Sequence, residues 1–173
     1  MGDGTNILIL SCGTRNKIVR YFRKELAGKG MVLAADCSNL APALYDADKH
    51  FIVPKMTDDE YLDTVLSICK ENNVIGVLSL IDPELSLLAK HRQAFLDVGT
   101  IPIVSDYEVI EKCFDKYSMF EYLSNKDVRT IKSYRTLNDF EKDYTVGKCM
   151  FPVFVKPSTG RGSVGARKVN TFQ

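Results

Sequence analysis

The residues best placed to do chemistry lie late in the chain, in "VFVKPSTGRGSVGARKV" over 153–169. A β-branched run delivers Lys156 to the mouth of a loop built from Ser158, Thr159, Gly160, Arg161, Gly162, Ser163 and Gly165. Glycines accept positive φ and let backbone approach a ligand closely, and a loop of this kind can turn successive N–H groups toward an anion. From Tyr144 onward there is no acidic residue, whereas Lys148, Lys156, Arg161, Arg167 and Lys168 are basic. Polyphosphate is the ligand class that suits such a surface. The lysine precedes the glycines, so the order is not that of a Walker loop. A purely structural hairpin with a glycine tip is the alternative these residues leave open.

A second candidate is the turn "SCGTRNK" over 11–17. It follows an apolar run, where dinucleotide folds carry G-x-G-x-x-G, but Gly13 stands alone and the fingerprint fails. Asp36 lies at about the distance of the acid that reads a ribose hydroxyl in such folds. The turn sets backbone N–H groups, Arg15 and Lys17 at a helix start, where the dipole favours anions. Docking of a small anionic substrate is therefore expected, if anywhere in this region, around Gly13, Thr14, Asp36 and Asp82. Asp82 is equally readable as a helix cap, and the turn as a tight connection with solvated basic side chains. His50 and His91 are isolated and read as surface residues, and no carboxylate cluster suggests a metal site.

The elements that must hold these residues alternate. Apolar runs at 6–10, 31–35, 74–80 and 101–104, with a short one at 50–53, have the composition of strands buried on both faces. Between them Ile18, Val19, Phe22 and Leu26 recur at helical spacing, with Gly28 and Gly30 as the stop. Thr57 and Glu60 form a capping-box pattern ahead of Leu62, Val65, Leu66 and Cys69. In "DPELSLLAKHRQAFL", Asp82 is the expected N-cap, Pro83 the first helical residue, and Leu85, Leu88, Ala89 and Leu96 the buried side. This alternation predicts an α/β fold, a doubly wound parallel sheet over 1–105. Two connecting helices over 106–124 follow, the first opened by Ser105 and Glu108. Over 125–173 the pattern changes to strand (130–134), helix (138–144), strand (150–155), glycine loop and strand (166–169). Strands joined by a loop alone suit an antiparallel hairpin, hence an incomplete α+β unit.

Bulk properties exclude several classes. Apolar residues make up 45% and charged residues 26%, the balance of an ordinary globular protein. A net charge of +1 argues against a dedicated nucleic-acid binder. No apolar run approaches the ~18 residues of a membrane span, so no membrane partner and a cytoplasmic location are expected. Cys12, Cys37, Cys69, Cys113 and Cys149 are odd in number and never in CxxC spacing, and read as reduced, buried thiols.

From Cys113 onward, "FDKYSMFEYL", then a strand, then "FPVFVKPSTGRGSVG" resembles the start of an ATP-grasp domain. The preceding sheet resembles the Rossmann-like pre-ATP-grasp domain. With "DPELSLLA" and "IPIVSDYEVIEKCFDKYSMFEYL", the chain is similar along essentially its whole length to stand-alone proteins like the carbamoyl-phosphate synthase large subunit. That resemblance implies that Lys116 reaches an ATP phosphate, that Lys156 contacts the α and β phosphates, and that the loop over 158–165 closes on the β and γ phosphates. It implies MgATP as cofactor and a small carboxylate as substrate, activated as an acyl phosphate and attacked by an amine, ammonia or thiol. A homo-oligomer is compatible with it.

Two departures stand out. Lys156 occupies a position where carbamoyl-phosphate synthase tends to have arginine, which is closer to the peptide-ligase side of the family. Arg129 stands where relatives often carry proline. The resemblance also puts the adenine hinge, the magnesium carboxylates and the catalytic arginine beyond Gln173. No metal ligand is therefore expected within 1–173, and this portion is expected to be inactive alone, exposing Met150, Phe151, Val153 and Phe172. The rival expectation is a non-catalytic, nucleotide- or anion-responsive module that docks on a partner chain.

Overall fold

The computed structural model describes residues 4–160 and 162–172. The chain divides into two compact units, Met1–Tyr107 and Glu108–Gln173.

The first unit is a five-stranded parallel sheet flanked by helices. Its strands are β1 (Asn6–Leu10), β2 (Val32–Asp36), β3 (Lys49–Ile52), β4 (Val74–Ser79) and β5 (Ile101–Pro102), in the order β3-β2-β1-β4-β5. Because alternate side chains point to opposite faces, the central strands β1, β2 and β4 feed two cores. Leu8, Leu10, Leu33, Ala35 and Val77 pack with Tyr61, Val65, Ile68 and Cys69 of α2 (Tyr61–Glu71), Leu88 of α3 (Asp82–Lys90) and Phe95 of α4 (Arg92–Asp97). Ile7, Ile9, Val32, Ala34 and Leu78 pack on the other face with Val19, Ile18, Phe22 and Leu26 of α1 (Asn16–Leu26) and with Ala43 and Leu44 of the 3₁₀ turn Pro42–Asp46. This is the doubly wound α/β arrangement predicted by the alternating pattern. The chain builds outward from β1 to β3, then crosses back to β4, so the strand order reverses between β1 and β4.

Local expectations fare unevenly. Helix α1 ends at Leu26 through left-handed Ala27, and Gly30 has a different task from stopping it. A Cβ at Gly30 would lie 2.1 Å from the Thr5 carbonyl oxygen, so only glycine lets the two chain segments pass. The Thr57 capping box does not form: α2 starts at Tyr61 with no side-chain cap, and the Thr57 hydroxyl bonds Asp58 instead. Asp82 is not the N-cap of α3 either. Ile81 occupies that position in extended conformation, its N–H donating to the Ser79 hydroxyl, and Asp82 is the first helical residue. The helix expected to run through Leu96 is interrupted at His91; α4 turns Phe95 inward at 0% exposure and leaves Leu96 outside. Strand β5 is two residues long rather than four.

The second unit contains α5 (Tyr107–Phe114, whose first residue closes the first unit), α6 (Lys116–Ser124), α7 (Leu137–Thr145), β6 (Val153–Val155) and β7 (Arg167–Val169). Strands β6 and β7 form the antiparallel hairpin, with Val153 opposite Val169 and Val155 opposite Arg167. Strand β6 begins at Val153 rather than 150, after Pro152, which has no N–H to give a ladder. Residues 130–134 are not a strand. Among the described residues no strand pairs with them; Lys132 and Tyr134 both reach Asp143, and Ile131 is exposed. The core of the unit is aromatic, with Phe140, Tyr144, Phe151 and Phe172 at centroid separations of 5.0 to 6.0 Å. Phe151 and Val153 are therefore half-buried, contrary to expectation, while Met150 and Phe172 are exposed.

Candidate functional site

At the carboxyl ends of β1 and β4 the structure gathers polar groups that are already bonded to one another. The Asp36 carboxylate accepts the Gly13 N–H at 2.8 Å through Oδ2 and the Ser38 N–H at 2.9 Å through Oδ1. Arg15 donates to the Ser11 carbonyl at 3.1 Å and the Leu80 carbonyl at 3.4 Å, spanning the ends of the two strands. Asp36 thus fastens the turn that was expected to receive an anion, and takes up the Gly13 N–H. Burial, and then Asp36, push the neighbouring Cys12 thiol up to about 11. Thr14 is exposed, and Asp82 is half-buried with no partner among the described residues.

The sequence reading missed the central residue of this edge. Glu84 is 0% exposed; Ser11 donates to its Oε1 at 2.9 Å, the Tyr61 hydroxyl donates to the same oxygen, and the Ser79 hydroxyl donates to Oε2. Burial and the facing carboxylate raise the Tyr61 hydroxyl far above its ordinary value, which keeps it a donor. A signal was present: Ser11 and Ser79 end adjacent strands, and an acid in the first turn of α3 points back at them. It was hidden because "DPEL" also reads as an ordinary acidic helix start. Exposed Cys37 and Cys113 likewise depart from the expected burial, whereas Cys12 and Cys69 conform.

The glycine loop lies between β6 and β7. Gly160 (φ +105°), Gly162 (+65°), Ser163 (+58°) and Gly165 (+76°) all take left-handed backbone. A Cβ on Gly165 would meet Pro157 Cγ at 3.0 Å, so this position is closed to larger residues by space as well as conformation. Lys156 is exposed and has no partner among the described residues; Thr159 is also exposed. Arg161 lies outside the described residues.

The start of α6 holds the base of this loop. The Lys116 ammonium donates to the carbonyls of Ser158 at 3.2 Å and Gly160 at 2.9 Å, and its backbone N–H donates to the Ser158 carbonyl at 2.9 Å. Asp115, the N-cap, accepts the Ser118 N–H at 2.7 Å and the Ser158 hydroxyl. Arg135 approaches Asp115 at 3.7 Å while lying over the Tyr117 ring. The Ser158 hydroxyl, then the Ser118 amide, hold the Asp115 carboxyl down at about 2. Among the described residues no cluster of three or more metal-ligating side chains occurs, and no helix is long and apolar enough to cross a membrane.

Residues 7–104 match the family described as PylC-like, N-terminal domain, which covers more than half of the chain. The chain belongs to that family. No curated protein sequence matches it. Among solved structures, the PylC-like chain is similar to the biotin carboxylase domain of Hydrogenobacter thermophilus 2-oxoglutarate carboxylase, a dimer in complex with MgADP, ADP and bicarbonate (TM-score 0.68, 19% identity, 96% of this chain and 37% of that one). It is similar to the L-amino acid ligase of Bacillus licheniformis (0.66, 20%, 97% and 39%). It also resembles N5-carboxyaminoimidazole ribonucleotide synthetase of Thermotoga maritima (0.67, 18%, 97% and 41%). At such identities the likeness carries the fold alone, which over residues 7–104 is that of the PylC-like N-terminal, pre-ATP-grasp domain. This chain spans well under half the length of these structures.

Proposed function

We propose that this chain is the N-terminal portion of an ATP-grasp ligase and that its second unit supplies part of the phosphate grip. The observation that carries the reading is the left-handed backbone of Gly160, Gly162, Ser163 and Gly165 in a loop entered by an exposed Lys156 that has no partner among the described residues. The residues fit a polyphosphate. Lys156 and the amides of Thr159, Gly160, Gly162, Ser163 and Gly165 would hold it, and Lys116 keeps one ammonium proton without a partner among the described residues. The same loop in its full form includes Arg161. These groups neutralise and orient the phosphates, the main work in phosphoryl transfer. The described residues do not fit a magnesium site of their own, so no magnesium ligand is assigned here. When bound, MgATP would supply the phosphoryl group that activates a carboxylate.

The similar structures support this class: they include a ligase of amino acids and a biotin carboxylase domain bound to MgADP and bicarbonate. We assign to this chain, by analogy, a small carboxylate substrate, taken up at the carboxyl edge of the parallel sheet near Gly13, Thr14 and Asp82, since open α/β sheets bind ligands there. Chemistry like that of carbamoyl-phosphate synthase and a cytoplasmic location belong to the same reading. The test is nucleotide binding by the complete gene product. Lys156→Ala should weaken MgATP binding by about 1 to 3 kcal/mol, the range for a contact to a charged group. An unchanged dissociation constant removes Lys156 from the grip, and absence of any MgATP binding by the unaltered protein overturns the nucleotide reading altogether.

A further inference from the structure

A glycine-rich loop has a conformational problem that its ligand contacts do not solve. Residues free to adopt left-handed backbone are free to adopt many other conformations, so the amides converge on a ligand only if something fixes the loop from outside. Gly160 and Gly162 meet nothing within 4 Å of where a Cβ would stand, so packing at these two positions does not provide that constraint. The bonds that do are concentrated at one end, on Ser158.

We propose that Asp115 is a positioning residue that sets the glycine loop for phosphate through Ser158. The proposal rests on the phosphate-grip reading for its purpose, but the anchoring itself stands on geometry. Asp115 Oδ1 caps α6 by accepting the Ser118 N–H, which fixes the carboxylate relative to the helix. Its other oxygen, Oδ2, accepts the Ser158 hydroxyl and faces Arg135 at 3.7 Å. The Ser158 carbonyl is in turn held twice by Lys116, from the backbone N–H and from the ammonium. Ser158 is therefore fastened on both its side chain and its main chain by two consecutive residues, about forty positions earlier in the sequence. The left-handed residues Gly160, Gly162, Ser163 and Gly165 all follow this fixed point. Asp115 touches none of the amides offered to the ligand, so its effect on affinity passes through the loop's conformation alone.

The arrangement separates two roles in the Asp115–Lys116 pair. Lys116 keeps an ammonium proton for a phosphate oxygen and can act on the ligand directly. Asp115 is an anion beside an anion site, a position that opposes phosphate binding by charge, and what offsets that opposition is the ordering of the loop.

Three variants separate anchoring from simple structural damage. Asp115→Ser retains a good N-cap residue for α6 but is too short to reach Ser158. Ser158→Ala removes the hydroxyl and leaves the cap intact. Ser158→Thr restores a hydroxyl. Hydrogen exchange of the amides over 157–166 and the MgATP dissociation constant would be measured for each variant and for Asp115→Ser/Ser158→Ala together, in the complete gene product. The expected result is that either single substitution speeds loop exchange and weakens MgATP by up to about tenfold, the net effect of one ordinary hydrogen bond, since the loss reaches the ligand only through the loop. The double variant should be no worse than either single, and Ser158→Thr should recover most of both effects. Additive effects, or loop exchange unchanged by Asp115→Ser, overturn the proposal. If the unaltered protein binds no MgATP while exchange still shows the non-additive pattern, the anchor is supported and the phosphate reading is the part that fails.

Discussion

Removing the Glu84 carboxylate should damage the first unit more than any single change at its surface. Glu84 is wholly buried and accepts hydrogen bonds from Ser11, Tyr61 and Ser79, of which the Tyr61 and Ser79 bonds are themselves buried. A hydrogen bond to a charged group is worth about 1.5 to 3 kcal/mol net. The three do not simply add, because desolvation of the carboxylate offsets part of them. In Glu84→Ala the Tyr61 and Ser79 hydroxyls lose their acceptor without water to replace it, and a cavity is left. The expected loss is about 3 to 5 kcal/mol, against a typical domain stability of about 5 to 15 kcal/mol. Glu84→Gln keeps the volume and one acceptor oxygen and should lose about 1 to 3 kcal/mol. The chain has no tryptophan, so urea unfolding would be followed by circular dichroism, with hydrogen exchange of the β1 and β4 amides reporting the first unit separately. Tyr61→Phe should be strongly non-additive with Glu84→Gln. A loss below about 1 kcal/mol for Glu84→Ala would refute the reasoning, since it would mean the hydroxyls find other partners or the carboxylate contributes nothing.

Other outcomes are expected by the same reasoning. Asp115 titrates at about 2 because the Ser158 hydroxyl and the Ser118 amide favour its charged form. A depressed carboxyl stabilises the folded state above its unfolded value of 3.8 and loses that contribution as pH falls toward about 2, so exchange over 157–166, corrected for intrinsic rates, should be the same at pH 5 and pH 7 and rise only below about pH 4. Phe95→Ala should destabilise the first unit by about 3 to 5 kcal/mol in denaturant unfolding, as for a large buried side chain, whereas Leu96→Ala on the exposed side should change little. Gly165→Ala, at φ +76° and against Pro157, should cost about 1 kcal/mol or more in backbone strain, and be read as faster exchange in the loop. With a thiol-specific reagent at neutral pH, Cys37 and Cys113 should react first, while Cys12 and Cys69, buried and pushed up to about 11, should wait for unfolding.

The sheet was readable from the sequence because both-face burial leaves a strong mark: runs such as "NILIL" and "VIGVLS" admit little else once helices alternate with them. What was not readable depended on contacts between distant residues. The Thr57 box satisfies the local pattern of a cap, yet α2 starts where Tyr61 can reach Glu84, a tertiary constraint that no window around Thr57 contains. Leu96 fits a continuous helical period, but the break at His91 resets the phase and brings Phe95 inside. Residues 130–134 have strand-like composition, but a strand is a property of a pair, and Asp143 draws Lys132 and Tyr134 into side-chain bonds instead. At the loop, the glycine content alone announced left-handed backbone; that Asp115 and Lys116 bond Ser158 from about forty residues away was beyond any local window.

The sheet of the first unit also acts as a partition. Ile7 and Leu8 are neighbours in the chain but belong to different cores, and a layer of hydrogen-bonded backbone lies between them. A change of volume at Val19 must be absorbed by α1, the 3₁₀ turn and one set of strand side chains. One at Leu88 must be absorbed by α2, α3 and α4 and the other set. Substitutions on the same face should then compensate one another, and substitutions on opposite faces should combine as independent events. Over evolutionary time the two faces are free to drift as separate sequences that happen to share a chain. A homologue could thus renew one core almost completely while the other stays recognisable.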